Sequence, residues 1–341
     1  MFVSENKLTI LTGDRPTGPL HLGHYLGSLQ NRVILQNQGE YQQYILIADT
    51  QALTDHFSEP LKVQENILEV TMDYLAVGID PNLSTICVQS LLTALPEITM
   101  YFLNLLTLNQ IERNPTVKEE IKQKDFGNKI PVGFLIYPVS QAADITAFLA
   151  DLVPVGADQI PMIEDTNFIV RKFNDMYGAG TLKECKAKVP EQFSRLIGID
   201  GKAKMSKSLG NCIYLKSTSD ELWTQVKQMY TDPNHIRVED PGQIEGNVVF
   251  TYLDAFDENK QEVASLKDQY RQGGLGDMKI KKYLFEVLDN KFKGIRERRL
   301  ELASDKAQII KILKEGTLKA NEVSQATLSK MKRAMKMFEF V

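Results

Sequence analysis

The sequence predicts an α/β protein: a doubly wound, Rossmann-like parallel sheet followed by an all-helical C-terminal domain. Three observations carry that expectation. Short apolar or β-branched runs alternate with longer helical patterns over roughly the first 210 residues, as parallel strands joined by helical crossovers require. From Ser217 onward the strand signal disappears. The length, 341 residues, suits two domains of about 150 residues each. The division is expected at residues 1–215 and 216–341, with the last helix allowed to pack back on the first domain.

Residues 8–11, 44–48, 85–88 and 152–155 read as buried strands, each a short apolar run bounded by Gly, Asp or Pro. Residues 60–77, 96–112 and 158–177 carry apolar side chains at helical spacing, and Pro60 and Pro96 stand where a first helical turn tolerates proline. Another helix runs through residues 25–35. In the second half, Thr218 with Glu221 forms a capping-box pattern that opens a helix over residues 222–230. Asp240-Pro241-Gly242 marks a turn, and Gly273, Gly274 and Gly276 separate two more helical stretches. Residues 291–314 and 318–337 read as long amphipathic helices.

Composition narrows the function classes. With 43% hydrophobic and 25% charged residues, collagen-like, disordered and disulfide-scaffold chains are excluded. The 40 Lys+Arg against 44 Asp+Glu leave a net charge of −4, so no whole-chain basic excess announces a nucleic-acid partner. Locally the balance differs. Residues 279–299 hold eight Lys/Arg against three acids, a net +5 that is a candidate phosphate-tracking face. The start, MFVSENK, lacks a signal-peptide core, and the most apolar stretch, residues 91–108, is broken by Pro96, Glu97 and Asn104. A cytoplasmic protein with no membrane contact is expected. Cys87, Cys185 and Cys212 are odd in number and scattered, so they read as reduced structural thiols and not as zinc ligands.

Two motifs carry chemistry. The first, His21-Leu22-Gly23-His24, follows a strand and the turn Gly13-Asp14-Arg15-Pro16-Thr17-Gly18-Pro19 and opens a helix. A helix N-terminus offers free N–H groups and a positive dipole end, imidazole N–H groups extend that donor set, and Gly23 lets a base or ribose lie against the backbone. No Walker A loop and no GxGxxG fingerprint occurs. The second motif, Lys204-Met205-Ser206-Lys207-Ser208, puts two ammonium groups on what should be a mobile loop, able to close over a triphosphate and follow charge onto departing pyrophosphate.

HLGH and KMSKS match the two signatures of class I aminoacyl-tRNA synthetases. The finer pattern, GDRPTGPLHLGHYLGSL, AADI and VPVGADQ, resembles the bacterial tryptophanyl branch of that family along essentially the whole chain. The resemblance implies a two-step ligase. ATP and L-tryptophan give an aminoacyl-adenylate and pyrophosphate, and the aminoacyl group then passes to the 3′ end of tRNA(Trp). Mg²⁺ accompanies ATP, bound mostly by phosphates and water, and a homodimer is implied. The helical half is where the anticodon is expected to be read.

The resemblance also implies roles. His21, His24, Lys204 and Lys207 are the catalytic candidates. Arg15, Pro16, Thr17, Gly23, His24 and Lys118 are expected around ATP, with Gly156, Ala157 and Asp158 as a ribose-binding turn. Leu196 is expected to meet adenine through its backbone, and Lys204, Met205, Ser206, Lys207 and Ser208 form the phosphate loop. For tryptophan the implied residues are Gly13, Tyr137, Asp144 and Gln159, with Tyr137 and Gln159 at the α-amino group. An indole N–H needs an acceptor, which an ionised Asp144 supplies. Two alternatives stay open at this level: a tyrosyl-tRNA synthetase, which shares HxGH, and a nucleotidyltransferase of the HxGH type.

Overall fold

The computed structural model describes residues 7–124, 126, 129–189 and 196–338. Residues 1–6, on which the expectation of no leader rests, lie outside them. Five strands pair in parallel: Leu8–Asp14 (β1), Tyr41–Ile47 (β2), Ser84–Val88 (β3), Leu152–Pro154 (β4) and Lys186–Lys188 (β5). Their order, β3-β2-β1-β4-β5, reverses direction between β1 and β4. In such a sheet the crevice beyond the carboxyl ends of the strands at the reversal is where ligands bind. β3 is buried at every position, which explains why it shows no alternation of apolar and charged residues.

The chain forms two compact units that do not follow one cut near residue 215. One comprises Met1–Gly18, Asn31–Glu191 and Asp305–Val341; the other comprises Pro19–Gln30 and Gln192–Ser304. The sheet unit therefore takes in the last helix, Lys306–Ala334. Gly316 is the reason it can. A Cβ there would lie 2.1 Å from the Ile86 carbonyl oxygen, so only glycine lets this helix press on β3. Val88 N–H donates to Thr317 Oγ1 at 3.1 Å beside it. Ala320, Leu328 and Met331 then join Tyr44, Phe102, Val139 and Phe173 in one core.

The helical unit claims the HLGH motif. His21 bridges to Tyr214, Leu22 N–H donates to Ile213 O at 2.9 Å, and Leu215 N–H donates to Leu20 O at 2.9 Å. The expected capping box is formed: Thr218 accepts from Glu221 N–H and opens Ser219–Lys227. Trp223 packs against Phe285 with ring centroids 5.3 Å apart.

Several boundaries differ from expectation for local reasons. The helix expected over 96–112 is two, Leu95–Leu103 and Leu108–Arg113, because Thr107 caps the second through Gln110 N–H. The long C-terminal helices are Asp277–Ser304 and Lys306–Ala334, since Asp305 caps the second by accepting from Gln308 N–H. Residues 25–29, expected as α-helix, are wound as a π-helical turn. Among the described residues no helix is long and apolar enough to cross a membrane.

Two glycines of the C-terminal helices, Gly316 and Gly294, make opposite predictions. Gly294→Ala adds a Cβ at ordinary distance, 3.5 Å from the nearest atom, and should stabilise by up to about 1 kcal/mol through helix propensity. Gly316→Val forces the last helix off β3 and should cost about 1–3 kcal/mol. Denaturant unfolding of both variants reads the contrast.

Candidate active site

In the sheet unit, polar side chains collect at the carboxyl ends of the strands. Asp144, on the helix Val132–Ala147, is 3% exposed. Gln89, immediately after β3, donates through Nε2 to Asp144 Oδ1 at 2.9 Å and Oδ2 at 2.8 Å. Gln51, just past β2, donates through Nε2 to Asp144 Oδ2 at 3.0 Å. The Gln89 carbonyl is itself oriented by Thr50 Oγ1 and by Gln51 N–H, the latter at 3.2 Å. Asp49 accepts from Ser90 through both its backbone N–H and its hydroxyl, which ties the end of β2 to the end of β3.

Burial pushes the Asp144 carboxyl up to about 8, against the lowering effect of the Gln89 hydrogen bonds and with a further upward push from Asp49. This modifies the expectation of an ionised Asp144: in the ligand-free protein its proton is held through neutral pH. A protonated carboxyl still presents an acceptor oxygen, and a donated indole N–H favours the charged form.

At the end of β1, Gly13 has a structural reason of its own, because a Cβ there would sit 2.2 Å from the Leu46 carbonyl oxygen. Asp14 Oδ2 accepts from Arg32 Nη1 at 2.6 Å and from Tyr74 Oη at 2.7 Å, and Arg32 also donates to Gly13 O at 3.2 Å. Arg32 is 2% exposed, so this triad anchors the root of the turn that carries exposed Arg15, buried Pro16 and half-buried Thr17. Thr17 N–H closes that turn on Arg15 O at 2.8 Å.

Beyond β4, Gly156 leads into a 3₁₀ turn, Ala157–Gln159. A Cβ on Gly156 would lie 2.6 Å from Asp158 Oδ1, so glycine leaves room for that carboxylate. Asp158 is exposed and its carbonyl accepts from Thr116 Oγ1 at 2.8 Å. Gln159 Nε2 stands 3.4 Å from Asp158 Oδ2. Asn114 caps the helix Pro115–Lys124 through Thr116 N–H and Val117 N–H, and donates to Asp165 Oδ2 at 2.6 Å. The same helix carries exposed Lys118 and half-buried Glu120, whose Oε2 accepts from Tyr137 Oη at 2.9 Å.

In the helical unit the two motifs touch. Gly23 N–H donates to the thioether of Met205 at 3.4 Å. A Cβ on Gly23 would press on the His21 ring at 3.0 Å, with Met205 Cβ at 3.6 Å. His21 N–H donates to His24 Nδ1 at 3.2 Å, so a neutral His24 carries its proton on Nε2. The two imidazoles lie 3.8 Å apart, centroid to centroid.

The lysine loop is braced at both ends. Lys204 bridges to Ile197, Met205 N–H donates to Leu196 O at 2.9 Å, and Ser206 N–H donates to Asn211 Oδ1 at 2.8 Å. Ser206 and Ser208 hydroxyls meet at 2.9 Å. Lys204 is exposed and Lys207 half-buried. The loop expected to be mobile is thus held by backbone bonds at its start and end, and of the Leu196 backbone expected at adenine the carbonyl accepts from Met205.

The basic stretch of residues 279–299 is less open than its net charge suggests. Lys281 is buried and donates to Lys227 O at 2.8 Å, Arg299 is buried, Arg296 pairs with Asp289 at 2.5 Å and Lys291 with Glu258 at 3.2 Å. Four of the eight cations therefore serve the fold, while Lys279, Lys282, Lys293 and Arg298 remain exposed. The three cysteines are all buried, and burial raises each thiol, that of Cys185 to about 11.

Comparison with known proteins places this arrangement. Residues 4–293 match the family described as tRNA synthetases class I (W and Y). The chain belongs to this family. A tryptophan–tRNA ligase of Clostridium longisporum is 58% identical over 330 residues, covering 96% of this chain and 97% of its own. That of Streptococcus pneumoniae is 55% identical over 338 residues, covering 98% and 99%. The tryptophanyl-tRNA synthetase of Campylobacter jejuni, solved with ADP and tryptophan, superimposes with a TM-score of 0.85 at 31% identity, over 97% of this chain and 100% of its own. In this class I synthetase, motif reading does not single out Gln51 and Gln89, which bond Asp144, Glu120, which bonds Tyr137, or Asn114, which caps the helix carrying Lys118.

Asp144 makes a pH prediction. Its folded carboxyl keeps the proton up to about 8, whereas an unfolded one releases it near ~4. The stabilisation by the protonated form is complete below about pH 4 and is lost as pH rises towards 8. Asp144→Asn has no such proton to lose. The stability of wild type relative to this variant should fall with pH across that window, at up to about 1.4 kcal/mol per pH unit, in denaturant titrations.

Proposed function

We infer that this chain is a tryptophan–tRNA ligase, which activates L-tryptophan with ATP and transfers it to the 3′ end of tRNA(Trp). The observation that carries the reading is the meeting of HLGH and KMSKS within one unit, Gly23 against Met205, in a chain whose relatives are tryptophan–tRNA ligases. The chemistry asks for positioned charge and not for a side-chain nucleophile, because the substrate carboxylate itself attacks the α-phosphate.

Each residue then has a physical task. The Gly23 amide, at a helix start, and His24 Nε2–H donate to phosphate oxygens. A thioether is a weak acceptor, so a phosphate oxygen readily replaces Met205 at Gly23. Lys204 and Lys207 follow the charge that accumulates on pyrophosphate. His21, whose ring meets that of His24 at a 49° tilt, orients it. Asp158 accepts from ribose hydroxyls, beside Gly156 and Ala157, and the Leu196 amide serves adenine. Arg15, Pro16, Thr17 and Lys118 complete the nucleotide contacts, and Mg²⁺ arrives with ATP, coordinated by phosphates and water.

Asp144 accepts the indole N–H, with Gly13 giving room nearby, while Tyr137 and Gln159 hold the α-amino group. The helical unit takes the anticodon of tRNA(Trp), with Lys279, Lys282, Lys293 and Arg298 as candidates for backbone phosphates. The chain acts in the cytoplasm as a homodimer. Support for a second copy comes from Leu91, Ile310 and Leu318, which are 59%, 54% and 58% exposed and line one apolar groove of the sheet unit.

Pyrophosphate exchange into ATP, run with each amino acid separately, tests the reading. Exchange should occur with tryptophan; exchange with tyrosine alone, or with none, would overturn it. In the same assay Asp144→Ala should raise the KM for tryptophan and leave that for ATP nearly unchanged. Lys204→Ala and Lys207→Ala should each slow adenylate formation by about 10²–10³, the usual cost of one preorganised donor at a developing charge. Full-rate single-turnover kinetics in both variants would remove the lysines from the mechanism.

A further inference from the structure

Both residues proposed at the α-amino group, Tyr137 and Gln159, are neutral, yet that group is an ammonium. A cation drawn into a partly desolvated cleft needs a counter-charge, or its transfer from water is costly. Asp144 does not provide one, because it is engaged with the indole end, two helical turns away from Tyr137.

An acid stands at the other end. Tyr137 Oη donates to Glu120 Oε2 at 2.9 Å. Tyr137 and Asp144 lie seven residues apart on the helix Val132–Ala147, which puts them on one face, about 10 Å apart along the axis. That is the span a tryptophan covers with a hydrogen bond at each end. We propose that Glu120 is the counter-charge for the substrate's α-ammonium, and the residue through which the site demands an amino acid instead of an indole alone. The inference rests on the tryptophan–tRNA ligase reading.

The geometry bounds the interaction without a bound ligand. An ammonium at hydrogen-bond distance from Tyr137 Oη lies within about 6 Å of Glu120 Oε2. Opposite charges within ~4–6 Å strongly favour each other's ionised form. Tyr137 can accept from the ammonium while still donating to Glu120, so the existing bond need not break. Glu120 is half-buried, and its helix is fixed at its start: Asn114 ties it to Asp165, and Thr116 ties it to the carbonyl of Asp158, next to Gln159. The carboxylate is thus held in the same frame as both neutral partners.

Calorimetric titration of the full chain with L-tryptophan and with 3-(indol-3-yl)propanoate, which lacks only the ammonium, separates the roles. Wild type should bind tryptophan more tightly. Glu120→Gln should weaken tryptophan by about 10–100-fold, the worth of one hydrogen bond to a charged group, and leave the propanoate unchanged or tighter. Glu120→Asp should recover part of the loss, and Glu119→Gln, the same charge change one residue earlier, should show none. Equal weakening of both ligands in Glu120→Gln, or weakening of neither, overturns the proposal. A wild-type protein that binds no tryptophan overturns the ligase reading itself, and the proposal with it.

Discussion

The site of the sheet unit depends on one buried carboxyl. Asp144 is almost wholly withdrawn from water, and burial lifts its carboxyl to about 8. What makes the position tolerable is the convergence of two amides, Gln51 and Gln89, from the ends of adjacent strands β2 and β3. Those amides occupy the carboxyl from one side, and Asp49 and Ser90 brace the strand ends behind them. A slip in the β2–β3 register would carry one amide away and leave a buried group unsatisfied, which is far more costly than the loss of an average contact. The register of the sheet and the chemistry of the site are therefore set by the same few bonds.

The helical unit solves a related problem at a helix start. The first amides of a helix have no partner within it, and here Gly23 N–H finds the sulfur of Met205. This acceptor satisfies the amide in the resting protein without competing seriously with a phosphate. The Asp14–Arg32–Tyr74 triad shows the opposite strategy in the sheet unit. There a fully buried guanidinium is bound tightly to one carboxylate, and the turn that follows gains a rigid root.

Much of this was legible in the sequence where the signal is local. HLGH, KMSKS, the Thr218–Glu221 capping box and the apolar strands β1 to β4 each announce themselves within a few residues. What escaped is long-range or disguised. β5, Lys-Ala-Lys, has a charged composition that no strand propensity flags. Gln51 and Gln89 are unremarkable in their own neighbourhoods and acquire meaning only when β2 and β3 lie side by side. Gly316 looks like a helix stop, yet it is a point of contact within a continuous helix, while the true break comes at the Asp305 cap. The +5 of residues 279–299 is real as a sum, but half of its cations are tied into the fold.

The close fit of Gly316 on β3 also bears on how the chain is made. The sheet unit is assembled from the first, middle and last segments of the polypeptide, so a ribosome delivers its pieces far apart in time. The Val88 amide waits for a partner, Thr317, that is 229 residues downstream. Every residue of the helical unit, by contrast, has been added once Ser304 is in place. Synthesis therefore passes through an interval in which the helical unit is complete while β3 is still a bare edge strand. Wrong pairing at that edge stays open to the newborn chain until Thr317 and its helix arrive.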